Sequence, residues 1–370
     1  MEKIKNVVVG AGLSGAVLAE RLASQLKEEV LVIDSRDHIA GMMYDFKHSC
    51  GITVHRYGPH IFHTSNQKIW DYLSQFTAWH PFCLKPLARI EDKYVSLPFN
   101  LNSLRQVFPE ELAQHLENKL VEKYGHGTKV PVMKLRGETD PDLQFLGGYV
   151  YEKIFEKYTL KQWGVSPEKI APGVMARVPI LVSRKDGYFQ DTYQAIPAKG
   201  YTKLVENMLH HPLITVRLQT PFSTIKNTVQ YDRLFYAGSI DAFFDYKYGE
   251  LPYRSLRFQI EQKETEYYQP AVVVNYPNDV DFTRICEHKY FLDEKTPHTV
   301  ISVEFPQAFK RGENDPYYPI ENPQNAALYA RYLADAQKLP GVYFLGRLGA
   351  YQYYSMEQTA AAALALFESL

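Results

Sequence analysis

Ile4-Lys-Asn-Val-Val-Val9-Gly10-Ala-Gly12-Leu-Ser-Gly15, followed by Val30-Leu-Val-Ile33-Asp34, is the stretch on which the fold turns. Ile4 to Val9 is a short β-branched run, Ala16 to Leu26 has helical apolar spacing, and Val30 to Ile33 is a second strand. The glycines are spaced GxGxxG, with strand before and helix after, and an acidic residue stands 19 positions past the last of them. In that setting the spacing has a mechanism. Gly10 permits the tight turn, Gly12 lets the backbone approach a pyrophosphate, and Gly15 lets helix and strand pack closely. The helix N-terminus faces the phosphates, with Leu13 and Ser14 in its first turn. Asp34, with Ser35 beside it, is placed to accept hydrogen bonds from a ribose.

The same strand-then-glycine punctuation returns at Leu234-Phe-Tyr-Ala-Gly238 and at Gly341-Val-Tyr-Phe-Leu-Gly346, the latter read as a buried strand. Ser355 to Leu370 then reads as a helix, Ser355 its N-cap. From Asn102 to Lys157 the chain is rich in Leu, Glu, Gln and Lys, which predicts several helices; between about 177 and 310 strand-like runs alternate with Pro and Gly. The expected fold class is therefore α/β: a discontinuous Rossmann-like FAD-binding domain with a helical insertion and an antiparallel β-sheet insertion. The expected boundaries are 1–83, 197–241 and 316–370 for the FAD-binding domain. The helical domain takes 100–176, with a mobile loop at about 164–178, and the sheet domain takes 84–99, 177–196 and 242–315. FAD is favoured over NAD because no second fingerprint is present and because a final strand–Gly–Arg–helix suits a flavin ring.

Composition bounds the partners. Among 370 residues, 41 Lys+Arg against 42 Asp+Glu leave a formal charge of −1, which argues against nucleic acid. No apolar run is long enough to span a membrane, and the start runs straight into a strand, leaving no room for a signal peptide. Three scattered cysteines, Cys50, Cys83 and Cys286, form no CxxC and fit a reducing, cytoplasmic setting. No metal site is expected: His55-Arg-Tyr-Gly-Pro-His60-Ile61-Phe-His63 is dense in histidine but has neither HExxH nor finger spacing. Its Gly58-Pro59 turn reads as a rigid loop that aims His60 at a cofactor, while His55 and His63 equally suit structural hydrogen bonds. Tyr158 and Trp163, five residues apart, either stack on a base or sugar or pack a helix end. Arg177, on a Gly/Pro-bearing stretch, reads as part of a lid over an anion. Arg284 and Arg347 converging on one cavity would neutralise a diphosphate, and Tyr317-Tyr318 and Tyr351-Gln-Tyr353-Tyr354 offer hydroxyls to it.

Taken together, these segments resemble the flavin-dependent, bacterial-type UDP-galactopyranose mutase family over essentially the full chain. Further matching stretches are Leu97-Pro-Phe-Asn100, Tyr188-Phe-Gln-Asp-Thr-Tyr-Gln-Ala-Ile-Pro197, Gly200-Tyr-Thr202, Pro252-Tyr-Arg-Ser-Leu256, Thr283-Arg-Ile-Cys-Glu-His-Lys289, Asp315-Pro-Tyr-Tyr-Pro319 and Gly346-Arg-Leu348. The resemblance implies an isomerase that interconverts UDP-galactopyranose and UDP-galactofuranose with reduced FAD, the flavin N5 attacking the anomeric carbon and UDP leaving. It further implies NAD(P)H or another reductant for the flavin, and a homodimer. Carried over by position, it makes Arg177 and Arg284 the diphosphate arginines and Tyr158 the uracil-stacking residue with Phe155 beside it. Trp163 and Asn275 fall at the sugar and substrate cleft, and Tyr188, Tyr318 and Tyr353 at the phosphates. His60, Ile61, Gly41, Met42, Arg347, Tyr354 and Met356 fall beside the flavin. Two departures stand out: Ala40-Gly41-Met42 where the family usually has Gly-Gly-Asn, and Ser355 where it usually has aspartate. They leave open the same chemistry on another nucleotide sugar, such as UDP-N-acetylgalactosamine, or a catalytically silent nucleotide-sugar-binding homologue. An amine- or alcohol-oxidising flavoprotein is disfavoured by Arg177 and Arg284.

Overall fold

The computed structural model describes residues 2–164 and 179–370. The opening βαβ unit forms as its pattern dictates: strand β1 (Glu2–Val9), helix α1 (Leu13–Gln25) and strand β2 (Val30–Ile33). These strands are the centre of a five-stranded parallel sheet in the order Ile214–Arg217, β2, β1, Val229–Tyr236, Val342–Phe344. Val7 and Val8 are fully buried, so the β-branched run is covered on both faces, as a parallel sheet requires. The alanine-rich side of α1 meets the C-terminal helix Met356–Glu368 through Ala16, Ala19, Ala360 and Ala363. Ser355 caps that helix, its Oγ accepting from Gln358 N at 3.1 Å while Gln358 Oε1 accepts from Ser355 N at 2.9 Å. Val342–Phe344 is half-exposed rather than buried, because it lies at the sheet's edge.

A seven-stranded sheet stands across from the first. Its order is Tyr318–Pro319, Tyr253–Lys263, Thr299–Ala308, Arg284–Glu287, Val273–Asn275, Leu87–Ile90, Lys93–Ser96. Every pairing is antiparallel except that of Val273–Asn275 with Leu87–Ile90. Helices between Leu101 and Trp163 pack on one end of this sheet, and their core also takes Ala88, Val95 and Ile180. A π-turn, Tyr151–Glu156, interrupts the last of them just before the helix Lys157–Trp163.

Three short strands pair elsewhere than the sequence boundaries place them. Tyr193–Pro197 lies between Phe62–Thr64 and Trp79–Pro81; Pro179–Leu181 pairs with Lys129–Pro131 of the helical segment; Tyr318–Pro319 joins the large sheet. Local pattern specifies that a segment is extended, whereas its partner is chosen by which face is buried. Among the described residues no helix is long and apolar enough to cross a membrane.

Candidate active site

One cavity of about 560 Å³ lies between the two sheets, a volume suited to a nucleotide-sized ligand. Its first wall is backbone. A Cβ on Gly15 would stand 1.9 Å from the Gly10 carbonyl oxygen, so only glycine lets α1 sit this close to the end of β1. Gly41, at φ +53°, brings its own turn against Gly12, where a Cβ would meet Gly12 Cα at 3.1 Å. The first amides of α1, unpaired within the helix by geometry, face this cavity. Asp34 closes the wall: its Oδ2 accepts from Ala11 N at 2.8 Å and its Oδ1 from Arg36 N at 2.9 Å, which fixes the orientation of the carboxylate. Ala237, Ile61, Met42, Leu348 and Met356 add apolar panels for flat rings. A bare amide cradle, an oriented carboxylate and apolar panels fit FAD.

The opposite wall is made of side chains set by strand register. Ala88, Asn275, Arg284, Glu304 and Phe258 are direct cross-strand partners, one row over four strand pairs. Arg284 donates from Nε to Glu304 Oε2 at 2.8 Å and from Nη2 at 2.6 Å. Glu304 is 1 % exposed and also accepts from Thr283 Oγ1 at 2.8 Å. Burial alone would pull the Arg284 guanidinium down, but Glu304, with the phenols of Tyr158 and Tyr318, holds it well above its ordinary range. Asn275 Oδ1 is buried and has no hydrogen-bond partner among the described residues.

The helix Lys157–Trp163 roofs the cavity with Tyr158 and Trp163, and Phe155 lines it from the π-turn. Arg254 donates to Gln162 O at 3.0 Å and to Lys161 O at 3.2 Å, and Lys161 donates to Asn278 O at 3.1 Å and Phe282 O at 2.8 Å. These cations meet the carbonyls at the helix C-terminus and in the facing loop and tie the roof to the sheet. Burial pushes the Lys161 ammonium down to about 8.

Arg347 spans the two walls: it donates to Tyr317 O at 3.0 Å and Tyr354 O at 2.8 Å, and lies over the Tyr353 ring at 4.8 Å. Tyr318 lies 5.5 Å from Tyr353 and 6.3 Å from Trp163, ring centre to ring centre. Burial holds the Tyr158 and Tyr318 phenols above their ordinary range, so both are neutral donors.

His60 is neutral: burial first, then His55, pushes it down to about 3. Its Nδ1 lies 2.8 Å from Gly58 O, and a carbonyl can only accept, so Nδ1 carries the proton and Nε2 is left as a bare acceptor. Burial likewise pushes His55 down to about 3, and its Nδ1 accepts from His60 N at 3.2 Å. His63 pairs with Asp191 at 2.8 Å and stacks on Phe189.

A family model described as UDP-galactopyranose mutase matches residues 153–353. The chain belongs to the UDP-galactopyranose mutase family. A model of an NAD(P)-binding Rossmann-like domain matches residues 8–76. The chain is 38 % identical to a probable UDP-galactopyranose mutase of Klebsiella pneumoniae, over 97 % of this chain and 93 % of that one. It is 35 % identical to a dTDP-fucopyranose mutase of Escherichia coli, over 95 % and 94 %. Against the UDP-galactopyranose mutase of Mycoplasma pneumoniae the identity is 34 %, over 100 % and 96 %. In fold it resembles a crystal structure of reduced UDP-galactopyranose mutase, with a TM-score of 0.74 at 14 % identity, covering 100 % of this chain and 94 % of that one.

Set against what the sequence of this mutase-family chain suggests, the cavity lining contains Gly10, Gly12, Leu13, Ser14, Gly15, Asp34, Gly41, Met42, His60 and Ile61. It also contains Phe155, Tyr158, Trp163, Tyr188, Asn275, Arg284, Tyr318, Arg347, Tyr353, Tyr354 and Met356. Ser35 is exposed and outside the lining. Once Asp34 turns inward at the end of β2, the next side chain points out, and it is Arg36 that returns to the cavity. Arg177 and the suggested lid beyond Gly164 lie outside the described residues.

Both departures from the family pattern are visible locally. Ala40 is buried with φ +69°, a left-handed backbone that disfavours a side chain. Ser355 lines the cavity and still caps its helix. The sequence reading missed Arg36, Tyr57 and Glu304. Arg36 donates to Asp315 Oδ1 at 2.8 Å and lies near Tyr57. Glu304 had a signal, a lone carboxylate amid the apolar run Thr299–Phe305.

Proposed function

We propose that this chain interconverts the pyranose and furanose forms of UDP-galactose, with reduced FAD held along the glycine cradle. The observation that carries the reading is that the dinucleotide cradle and the Glu304-held Arg284 open onto one cavity. A diphosphate bound by Arg284 and a flavin bound along Gly10 to Gly15 would therefore share a single chamber. Reduced FAD held there would supply, at its N5, the nucleophile for displacement of UDP at the anomeric carbon. Everything else falls to the chain. Arg284, with Arg177, stabilises the charge that grows on the departing UDP. Tyr188, Tyr318 and Tyr353 donate hydroxyls to the phosphates. Phe155 and Tyr158 take the uracil, and Trp163 and Asn275 the sugar. His60 and Arg347 orient the flavin, His60 through an Nε2 that accepts and never carries charge at neutral pH. NAD(P)H or another reductant keeps the flavin reduced, and the working form is a cytoplasmic homodimer.

The relative named as a dTDP-fucopyranose mutase, at 35 % identity over nearly the whole chain, supports a second reading in which the same ring exchange acts on a different nucleotide sugar. The first experiment is a visible spectrum of the purified protein, then dithionite reduction and addition of UDP-galactofuranose with chromatography of the products. Conversion to the pyranose in the reduced state alone is the expected outcome. Flavin without conversion moves the reading to other nucleotide sugars, and a protein that cannot be loaded with FAD overturns both.

A further inference from the structure

The part of the cavity between the flavin side and Arg284 is polar on one flank and apolar on the other. The polar flank offers an acceptor to a ring hydroxyl, the unpartnered Asn275 Oδ1. The apolar flank is a corner of Ile61, Leu84 and Val273, three cavity-lining residues that are 8 %, 8 % and 4 % exposed and belong to one apolar cluster. Register fixes where this corner lies. Val273 is on the same face of its strand as Asn275 and pairs with Cys286, two residues past Arg284, while Ile61 follows His60. Leu84 is tied to the phosphate side, its carbonyl accepting from Tyr188 N at 2.8 Å, so that group is already taken. The corner is therefore open to one edge of a sugar lying between the glycine cradle and Arg284.

We propose, resting on the mutase reading above, that the preferred sugar is a 6-deoxyhexose whose C6 methyl fills the corner of Ile61, Leu84 and Val273. Ring exchange between pyranose and furanose uses C1, O4 and O5. The C6 oxygen takes no part, so its loss leaves the reaction intact. C6 is also the exocyclic carbon, and there alone does removal of oxygen leave a protruding methyl; at C2 or C3 it leaves a flush methylene. A C6 hydroxyl seated against three aliphatic side chains would lose its water and gain no partner. An apolar pocket rejects such a hydroxyl by a limited factor, on the order of ten- to hundred-fold.

The test compares UDP-galactofuranose with UDP-6-deoxygalactofuranose on the FAD-loaded, dithionite-reduced protein, so that only the C6 oxygen differs. The expected result is a kcat/KM ten- to hundred-fold higher for the 6-deoxy sugar, and a fall in that ratio of about tenfold in Leu84→Asn, which restores a donor and acceptor to the corner. Equal rates, a preference for the hydroxyl, or a preference for UDP-N-acetylgalactosamine in the wild type overturns the proposal without any variant having to fold. If neither hexose turns over, the mutase reading falls by itself. Displacement of bound UDP by the two pyranoses then decides the corner: a tenfold tighter 6-deoxy sugar supports it, and equal displacement overturns it.

Discussion

The two walls of the cavity are built from different materials. The wall along α1 is backbone, shaped by what is missing at Gly15 and Gly41. The wall on the large sheet is side chain, shaped by which residues stand opposite one another: Asn275, Arg284 and Glu304 share one row only because three strands are in register. A backbone wall tolerates no added atom but is indifferent to charge. A side-chain wall can change its atoms but depends on paired charges. Each kind of wall should therefore fail in its own way.

The largest effect is expected at Gly15. Gly15→Val puts a Cβ 1.9 Å from a backbone oxygen and 3.0 Å from Val8, neither of which can swing away. It should cost at least about 3 kcal/mol and abolish flavin retention. Gly148→Ala, where a Cβ meets nothing within 4 Å, is the control and should be neutral or slightly stabilising. Thermal unfolding and the flavin absorbance of the two variants decide it; equal stability would mean the close approach of α1 is wrong.

On the side-chain wall, Arg284→Ala should lower kcat/KM by about 10²–10³, roughly 2.7–4 kcal/mol, with flavin content unchanged. Glu304→Gln keeps the hydrogen-bonding shape but removes the charge and should cost about tenfold. The double variant should be no worse than Arg284→Ala, since Glu304 acts through the arginine it holds. Additive losses would show that Glu304 has a separate role.

The two walls meet at the buried histidines, and there pH is the lever. His55 and His60 are both held down near 3 by burial, whereas the unfolded chain binds their protons below about 6.5. A folded-state pKa below the unfolded one means that stability is whole above pH 6.5 and is lost as pH falls from there toward 3. The loss should approach about 2.7 kcal/mol per pH unit for the two protons. Urea midpoints at pH 7.5 and pH 5 measure it; identical midpoints would contradict neutral, buried imidazoles.

The smallest effect is expected where the backbone wall carries a side chain it does not favour. Ala40→Gly relieves a left-handed alanine at φ +69° and should stabilise the protein by about 1 kcal/mol at most. A lower melting temperature would show that the buried methyl contributes more by packing than it costs in backbone strain.

The difference between the walls also explains how far the sequence can be read. Glycines at Gly10, Gly12 and Gly15 are contiguous and each has a local reason, so the cradle and its βαβ unit are visible in the string. The cap at Ser355 is visible for the same reason. Glu304 is legible only as a lone carboxylate in an apolar run; its partner is not, because Arg284 stands 20 residues away and only strand pairing brings the carboxylate to the guanidinium. Arg36 was passed over because the inward turn at Asp34 shifts which neighbour points at the ligand, and the reading chose Ser35. The short strand Tyr193–Pro197 is legible as an extended segment but not its company, and Tyr318–Pro319 is not legible as a strand at all, since nothing within five residues states which edge either will join.

The discontinuity of the five-stranded sheet has a consequence for how the molecule is born. β1 needs Val229–Tyr236 as a neighbour, and the cradle is closed by Gly346, where a Cβ would meet Ser14 Oγ at 3.0 Å. During synthesis the fingerprint thus emerges long before the strand it pairs with and must wait for it, while the described residues between Ala88 and Val182, which share one core cluster, can gather ahead of it. The cradle is then completed late, and the nascent chain spends much of its making with its best-defined motif unfinished.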